Sequence, residues 1–176
     1  EFQALATVLA RHPRVLVISD EIYEHVLLKD VPFVSFGEAC PELRERTLIV
    51  NGVSKAYAMT GWRVGYAAGP KALVAALNKM QSQSVTSVSP VAQAAALAAL
   101  TGDQQFVSRA AGFFAARARI VAERLASIGG LEFTPPDGAF YAFVGIGKLI
   151  GSRTQAGEVI TDDTVFAAHL LQAFGL

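Results

Sequence analysis

Short runs of apolar, mostly β-branched residues alternate with polar segments in the first part of the chain and predict the strands of a sheet. Residues 15–18 (VLVI) and 47–50 (TLIV) are two such runs, typical of strands buried on both faces of a parallel sheet. Residues 63–68 (RVGYAA) are predicted to form a third strand. The order of strands and helices along the chain indicates an α/β architecture with some non-parallel pairing.

Helical spacing of apolar positions predicts the elements around these strands. The apolar residues of segment 5–9 predict a helix that ends before Pro13. Pro70 is predicted to open a second helix, and Pro90 is predicted to open a third, alanine-rich helix that Gly102 terminates.

A longer amphipathic helix, predicted for about residues 106–128, divides the chain into two parts. Residues 131–145 are predicted to form β-structure around a turn at 135–138. A last helix is predicted to open at the capping residues Asp162 and Asp163. The separation of β and α elements after residue 130 suggests a second, smaller α+β lobe.

The composition favours a globular domain and excludes several kinds of partner. Of the 176 residues, 52% are hydrophobic, so a well-buried core is expected, with the aromatic pairs at 113–114 and 140–141 as core positions. The 15 basic and 15 acidic side chains cancel, which gives no electrostatic basis for binding nucleic acid or an anionic membrane surface. The longest nearly apolar run, 91–100, is too short to span a bilayer.

The cysteine and the histidines give no basis for disulfides or metal sites. Cys40 is the single cysteine and fits a reducing, cytoplasmic compartment. His12, His25 and His169 are scattered, without the spacing of metal ligands. The chain opens at Glu1 inside an amphipathic pattern, so we expect it to be cut from a longer protein.

Three charged residues fall at the ends of the predicted strands. Asp20 follows the first strand, Lys55 follows the second, and Arg63 begins the third. Alone, each has an ordinary explanation, as a cap, a solvated lysine or an arginine stacked on Trp62. Open α/β sheets bind ligands beyond the carboxyl ends of their strands, so the combination predicts a functional site.

Three ordered motifs resemble one enzyme family. Residues 52–65 (GVSKAYAMTGWRVG) resemble the pyridoxal-phosphate attachment signature of class I aminotransferases. Residues 19–25 (SDEIYEH) are similar to the family's upstream cofactor motif, and residues 136–141 (PDGAFY) to its small-domain motif. The longer segment 51–70 resembles the bacterial aspartate aminotransferases, and the resemblance covers essentially the whole chain.

The resemblance implies a three-layer α/β/α fold of type I. Residues 1–110 would then be the C-terminal part of the large cofactor-binding domain. Residues 111–176 would be part of the small α+β C-terminal domain, with the helix at about 106–128 linking the two. Family members are roughly twice this length and place the active site at a dimer interface, so a homodimer is expected for the full-length enzyme.

The resemblance also assigns roles to five residues. Lys55 would form a Schiff base with pyridoxal phosphate and later shuttle the substrate proton. Asp20 would keep the pyridine nitrogen protonated, and Tyr23 would contact the ring oxygen of the cofactor. Arg63 and Ser54 would bind the phosphate.

Gly52 departs from the family pattern, because members often carry a phosphate-binding hydroxyl at this position. We expect the glycine to permit a close approach of the backbone instead.

The predicted function is transamination between an amino acid, with aspartate preferred, and 2-oxoglutarate. The 176-residue chain alone is expected to be inactive, because the family's substrate-carboxylate arginine and part of its cofactor pocket have no counterpart in it. Other pyridoxal-phosphate reactions on the same scaffold, such as prephenate or aromatic transamination or a lyase reaction, stay open. A non-catalytic, ligand-binding regulatory domain is the third possibility.

Overall fold

A computed structural model describes residues 1–175, and a three-stranded mixed sheet organises the first part of the chain. Strand β1 (Val17–Asp20) pairs in parallel with β2 (Thr47–Gly52), and β2 pairs antiparallel with β3 (Gly65–Ala68), in the order β1-β2-β3. The three runs predicted to be strands therefore form one sheet, and the predicted non-parallel pairing is confirmed at β3.

The prediction that the first strand is buried on both faces is wrong. Alternate residues of β1 differ, because Val17 and Ser19 are half-buried whereas the side chain of Ile18 is 70% exposed. Every residue of β3 is exposed. Both strands are edge strands of the described sheet, and only one face of β1 packs against described helices, which leaves the other face open.

The third strand also begins later than predicted, at Gly65 rather than Arg63. Arg63 has φ 55° and ψ 49°, the left-handed conformation, and ends the 3-10 helix Thr60–Trp62. A residue in this conformation cannot continue into a strand ladder.

The five predicted helices lie close to their predicted positions, whereas the short helix over Phe36–Ala39 and the 3-10 helices were not predicted. The helices are α1 (Phe2–Ala10), α2 (Phe36–Ala39), α3 (Lys71–Ser84), α4 (Pro90–Thr101), α5 (Gln105–Ala126) and α6 (Asp163–Phe174). Two further 3-10 helices span Pro41–Arg46 and Gly147–Leu149, and β4 (Glu132–Phe133) pairs antiparallel with β5 (Val144–Gly145). Asp162 caps α6 as predicted, because its carboxylate accepts the Val165 N–H at 2.9 Å, and this hydrogen bond lowers the pKa of Asp162.

The chain divides into two compact units. The first consists of Glu1–Phe114 with Asp137–Ala139, and the second of Ala115–Pro136 with Phe140–Leu176. Helix α5 contributes residues to both units. The assignment of residues 1–110 and 111–176 to a large and a small domain stays a prediction.

Two small apolar clusters form the core of the first unit. One contains Ala6, Phe36, Cys40 and Leu43, and the other contains Val53, Val64, Ala92 and Ala96. The expectation of a more extensive core, which included the aromatic pairs, is wrong: Phe113, Phe140 and Tyr141 are all exposed, and the neighbouring Phe143 is 94% exposed.

Residues 1–175 contain neither a membrane-spanning helix nor a cluster of metal ligands. No helix in this range is both long and apolar enough to cross a membrane. No group of three or more histidine, cysteine, aspartate or glutamate side chains there is arranged to hold a metal ion.

Candidate active site

The sheet topology brings the five predicted site residues to one edge. Asp20 is the last residue of β1 and Tyr23 follows three residues later, while Ser54 and Lys55 follow β2 and Arg63 precedes β3. Because β1 and β2 are parallel and β3 runs the other way, the ends of β1 and β2 meet the start of β3. One sheet edge therefore carries a carboxylate, a phenol, an amine, a hydroxyl and a guanidinium group.

Asp20 lies on the exposed face of β1. Its Oδ1 accepts the backbone N–H of Ile22 at 3.2 Å, which turns the chain away from the sheet directly after the strand. Since side chains alternate between the two faces of a strand, Asp20 shares its face with Ile18. The carboxylate therefore stands on the open side of the sheet, where a ligand can reach it.

Glu21 lies on the opposite face and is the buried acid of this motif, with 8% of the residue exposed. Its Oε1 accepts hydrogen bonds from Ser19 Oγ at 3.0 Å, Ser35 Oγ at 2.9 Å and the Phe36 N–H at 3.0 Å. These contacts attach the end of β1 to the start of α2. No role was predicted for Glu21, although the alternation of side chains along a strand places Asp20 and Glu21 on opposite faces.

Lys55 is half-buried, and its Nζ lies 5.8 Å from the centroid of the Tyr23 ring. This distance is within the range of a cation–π contact. The Lys55 carbonyl accepts the Ala58 N–H at 3.2 Å, and Ala58 has φ 53°. A left-handed alanine stores backbone strain, so the turn that follows the lysine is held in shape by its surroundings.

Ser54 and Arg63 are linked through Thr60. The Thr60 hydroxyl donates to the Ser54 carbonyl at 3.1 Å, and Arg63 Nη1 donates to the Thr60 carbonyl at 2.9 Å. Ser54 lies two positions after Gly52, and Arg63 lies two positions before Gly65, the partner of Gly52 in the last pair of the ladder. The Ser54 backbone and the Arg63 guanidinium thus belong to a single cross-linked turn, a role for Thr60 that sequence reasoning missed.

Gly52 is required by the local packing. A Cβ atom at this position would lie 2.9 Å from the Val64 carbonyl oxygen and 3.1 Å from the Gly65 Cα. Those are backbone atoms, so a side chain would force the two strands apart. The expected close approach of the backbone at Gly52 is confirmed.

Residues Glu24 and His25 contact the segment that carries the lysine. Glu24 Oε1 accepts Asn51 Nδ2 at 2.8 Å and lies 3.3 Å from His25 Nε2. The imidazole ring of His25 meets the Tyr57 ring edge-on, with centroids 6.4 Å apart.

Two tyrosines close to this acid titrate above their usual range. Burial raises the pKa of Tyr57, and the negative charge of Glu24 adds to this effect. Burial and then Glu24 also raise the pKa of Tyr66, the cross-strand partner of Asn51. Both phenols therefore stay neutral and able to donate hydrogen bonds at neutral pH.

Asp137 and Gly138, in the motif at 136–141, lie against the loop that follows the motif at 19–25. Gly138 forms a β-bridge with Leu27, the Leu28 N–H donates to the Asp137 carbonyl at 2.8 Å, and the Lys29 ammonium pairs with the Asp137 carboxylate. Within the turn predicted at 135–138, Asp137 lies in a bend and Gly138 forms the β-bridge with Leu27, and both belong to the first unit.

The donor set at the sheet edge fits pyridoxal phosphate. Lys55 offers the primary amine that an aldehyde requires, and Asp20 offers a carboxylate for a protonated pyridine nitrogen. Tyr23 offers a phenol for the ring oxygen, and Arg63 with Ser54 offers a guanidinium and a hydroxyl suited to a phosphate.

Comparisons with known proteins agree with this chemistry. The family model described as "Aminotransferase class I and II" matches residues 1–176. An aspartate aminotransferase of Rhizobium meliloti is 44% identical over 98% of this chain and 42% of its own length, and an aspartate/prephenate aminotransferase of Cereibacter sphaeroides is 44% identical over 100% and 44%. The crystal structure of the aspartate aminotransferase from Rhizobium meliloti superimposes with a TM-score of 0.92 and 44% identity over 97% of this chain and 43% of that one.

These matches confirm the resemblance and the fold class predicted from the sequence, an α/β fold of type I. The matched family depends on pyridoxal phosphate. The chain spans less than half of the length of these relatives.

Proposed function

Because the chain belongs to the aminotransferase class I and II family, we propose that the natural protein carrying it transfers an amino group from an amino acid, aspartate first, to 2-oxoglutarate. The observation that carries this proposal is the position of the Lys55 amine, 5.8 Å from the Tyr23 ring at the sheet edge that also carries Asp20. Pyridoxal phosphate, when bound, supplies an aldehyde for the amine and a ring that withdraws electrons from the substrate Cα.

Lys55 is proposed to have two tasks. Its amine attaches the cofactor, and once the substrate has displaced it, the same amine carries the proton removed from the substrate Cα. The position of the amine supports both tasks, because Lys55 is half-buried and its Nζ lies 5.8 Å from the centroid of the Tyr23 ring, at the sheet edge that also carries Asp20.

The other four residues are proposed to bind and orient the cofactor. Asp20 holds a proton on the pyridine nitrogen, since a carboxylate favours the cationic form of the ring. Tyr23 donates to the ring oxygen. Ser54 and Arg63 hold the phosphate, and the contacts of Thr60 with the Ser54 carbonyl and with the Arg63 guanidinium keep the two residues in one turn.

Prephenate transamination is the second candidate. It is favoured by the relatives from Cereibacter sphaeroides and Nitrosomonas europaea, both named aspartate/prephenate aminotransferases. Comparing the kcat/KM for aspartate with that for glutamate plus prephenate separates the candidates. Activity with aspartate but not with prephenate would support aspartate transamination alone. Comparable activity with the two substrates would support an enzyme that also transaminates prephenate.

The 176-residue chain by itself is proposed to bind the cofactor weakly and not to turn over. The proposal is supported by the short span relative to the relatives and by the many exposed apolar side chains, such as Ile18 and Phe143. The natural protein is proposed to act as a homodimer in the cytoplasm, with amino acids and 2-oxo acids as its small-molecule partners. A cofactor absorbance band together with transamination by the isolated chain would overturn the first of these proposals.

The substitution Lys55→Ala in the natural protein tests the main proposal. The absorbance band of the lysine-attached cofactor should disappear, and kcat should fall by at least about 10⁴-fold, because both the attachment and the proton transfer are lost. Lys79→Ala, at an exposed position of α3, is the matched control and should leave both unchanged. A Lys55→Ala protein that keeps the band would contradict the assignment.

A further inference from the structure

Three successive residues after β1 contact three different positions around Lys55. The Tyr23 ring lies beside Lys55 itself, with the Nζ 5.8 Å from the ring centroid. Glu24 accepts a hydrogen bond at 2.8 Å from Asn51, four residues before the lysine. His25 packs edge-on against Tyr57, two residues after the lysine. The pair Glu24 and His25 thus brackets the lysine from both sides.

The backbone ladder does not extend this far. The Glu21 N–H donates to the Val50 carbonyl at 2.8 Å, which continues the pairing of β1 with β2 by one residue. Beyond it the chain turns on itself, with hydrogen bonds from the Glu24 N–H to the Glu21 carbonyl and from the Val26 N–H to the Tyr23 carbonyl. The segment with Tyr23 has therefore left the sheet, and side-chain contacts set its position relative to the lysine.

Asn51 is a rigid anchor for such a contact. Its Oδ1 accepts the Gly52 N–H at 2.7 Å, which fixes the side-chain amide while Nδ2 points to Glu24. Gly52 in turn pairs with Gly65 in the ladder between β2 and β3. The amide of Asn51 is thus fixed to the end of β2, four residues before Lys55.

The Glu24 carboxylate is directed toward Asn51 and His25 and is largely shielded from solvent. Its side chain is 27% exposed, and the single oxygen Oε1 faces both Asn51 Nδ2 and His25 Nε2. A hydrogen bond to an ionised acceptor is stronger than one between neutral groups. Its charge also acts on Tyr57 and Tyr66, whose pKa values it helps to raise.

We infer that Glu24 is a positioning residue for the proposed reaction: through Asn51 on one side and the His25–Tyr57 ring contact on the other, it sets where the Lys55 amine lies relative to Tyr23 and Asp20. It touches no reacting atom. This inference rests on the proposed function, because it gives the contact a role in placing the cofactor-binding groups.

The test uses Glu24→Ala, Glu24→Gln and Asn51→Ala in the natural protein, with the exposed Glu45→Ala as the matched control. In the cofactor-free protein, amide hydrogen exchange of residues 21–27 and 50–57 should rise by about tenfold in Glu24→Ala and Asn51→Ala. In the loaded protein, the same two variants should shift the wavelength of the cofactor band and lower kcat by about tenfold with little change in KM, since a misplaced amine affects the chemical step.

Glu24→Gln separates geometry from charge. The glutamine oxygen can still accept from Asn51 Nδ2, so exchange, band and kcat should return to near wild-type values. The pKa values of Tyr57 and Tyr66 should nevertheless fall, because the charge is gone, and this can be followed by tyrosinate absorbance. If Glu24→Gln were as impaired as Glu24→Ala, the positioning role would be wrong.

The failure of this inference can be told apart from failure of the proposed function. A wild-type protein that shows no cofactor band would contradict the proposed function. A wild-type band that Glu24→Ala and Asn51→Ala leave unchanged in wavelength, with exchange equal to that of Glu45→Ala, would overturn the positioning role alone.

Discussion

The two faces of β1 differ in almost every physical respect. Val17, Ser19 and Glu21 face α2, where Val17 packs against the cluster that includes Phe36 and Cys40, and Glu21 accepts three hydrogen bonds. On the other face, Ile18 and Asp20 are exposed. Two adjacent acids, Asp20 and Glu21, therefore stand in opposite environments.

The difference between the two faces suits Glu21 to a structural role and Asp20 to the proposed reaction. A buried carboxylate is stabilised only while its donors stay in place, so Glu21 is suited to fixing the strand end to α2. A carboxylate on an open face keeps its charge available to a ligand, as the proposed role of Asp20 requires. Each of the following predictions would break or sharpen this contrast.

The largest effect is expected from Asp20→Asn in the natural protein loaded with pyridoxal phosphate. Without the negative charge, the ring nitrogen loses its proton more readily, and kcat should fall by about 10²–10³-fold. The free energy of unfolding should hardly change, because the side chain is exposed. Steady-state kinetics and urea unfolding check both parts, with the exposed Asp30→Asn as control. A large loss of unfolding free energy in Asp20→Asn would contradict the view that only the buried face of β1 stabilises the structure.

Glu21→Ala should act in the opposite way. Removing the carboxylate leaves the buried Phe36 N–H and the hydroxyls of Ser19 and Ser35 without their acceptor, which should lower the free energy of unfolding by about 3 kcal/mol. Urea unfolding of the cofactor-free protein measures this, and Glu45→Ala, at an exposed position, should stay within about 0.5 kcal/mol of wild type. Equal stabilities of Glu21→Ala and Glu45→Ala would show that the hydrogen bonds contribute little.

The rate at which Cys40 reacts with a thiol reagent measures how well the face of β1 that contains Val17 is buried. Burial raises the pKa of the Cys40 thiol, and the nearby negative charge of Glu42 adds to this. Less thiolate is then present at neutral pH, so a thiol reagent should react on the order of a hundredfold more slowly than with the unfolded chain.

The same shift predicts the pH dependence. A thiol whose pKa is raised in the folded state contributes stability that is complete below the usual value of about 8.5 and is lost as the pH rises through the folded value. Glu21→Ala should accelerate the labelling of Cys40, since α2 loses its attachment to β1. Rapid labelling of the folded wild-type protein would contradict the burial of this face.

The smallest effect is expected from Ile18→Ser in the 176-residue chain, within about 0.5 kcal/mol in unfolding free energy, because the side chain is 70% exposed. Val17→Ser, on the other face, should cost about 1 kcal/mol or more. In the natural protein, Ile18→Ser should cost about 1–3 kcal/mol if further polypeptide covers this face. The same small value in both proteins would argue that the face stays open.

The sequence by itself determined the local elements and the family of the chain. Capping by Asp162, termination at Gly102 and helical spacing over 5–9 depend on neighbouring residues only, and each was found where it was predicted. The motif around Lys55 predicted the family and fold class, because residues 52–65 resemble the attachment signature of class I aminotransferases.

Only the tertiary structure decided which side chains are covered and which residues support the site. Burial depends on what packs against a face, so apolar runs such as 15–18 predicted a strand but not its exposure. The left-handed backbone of Arg63, the hydrogen bonds of Glu21 and the contact between Glu24 and Asn51 join residues from separate segments. A linear pattern shows periodicity within a segment, whereas such contacts exist only once the sheet has brought its strand ends together.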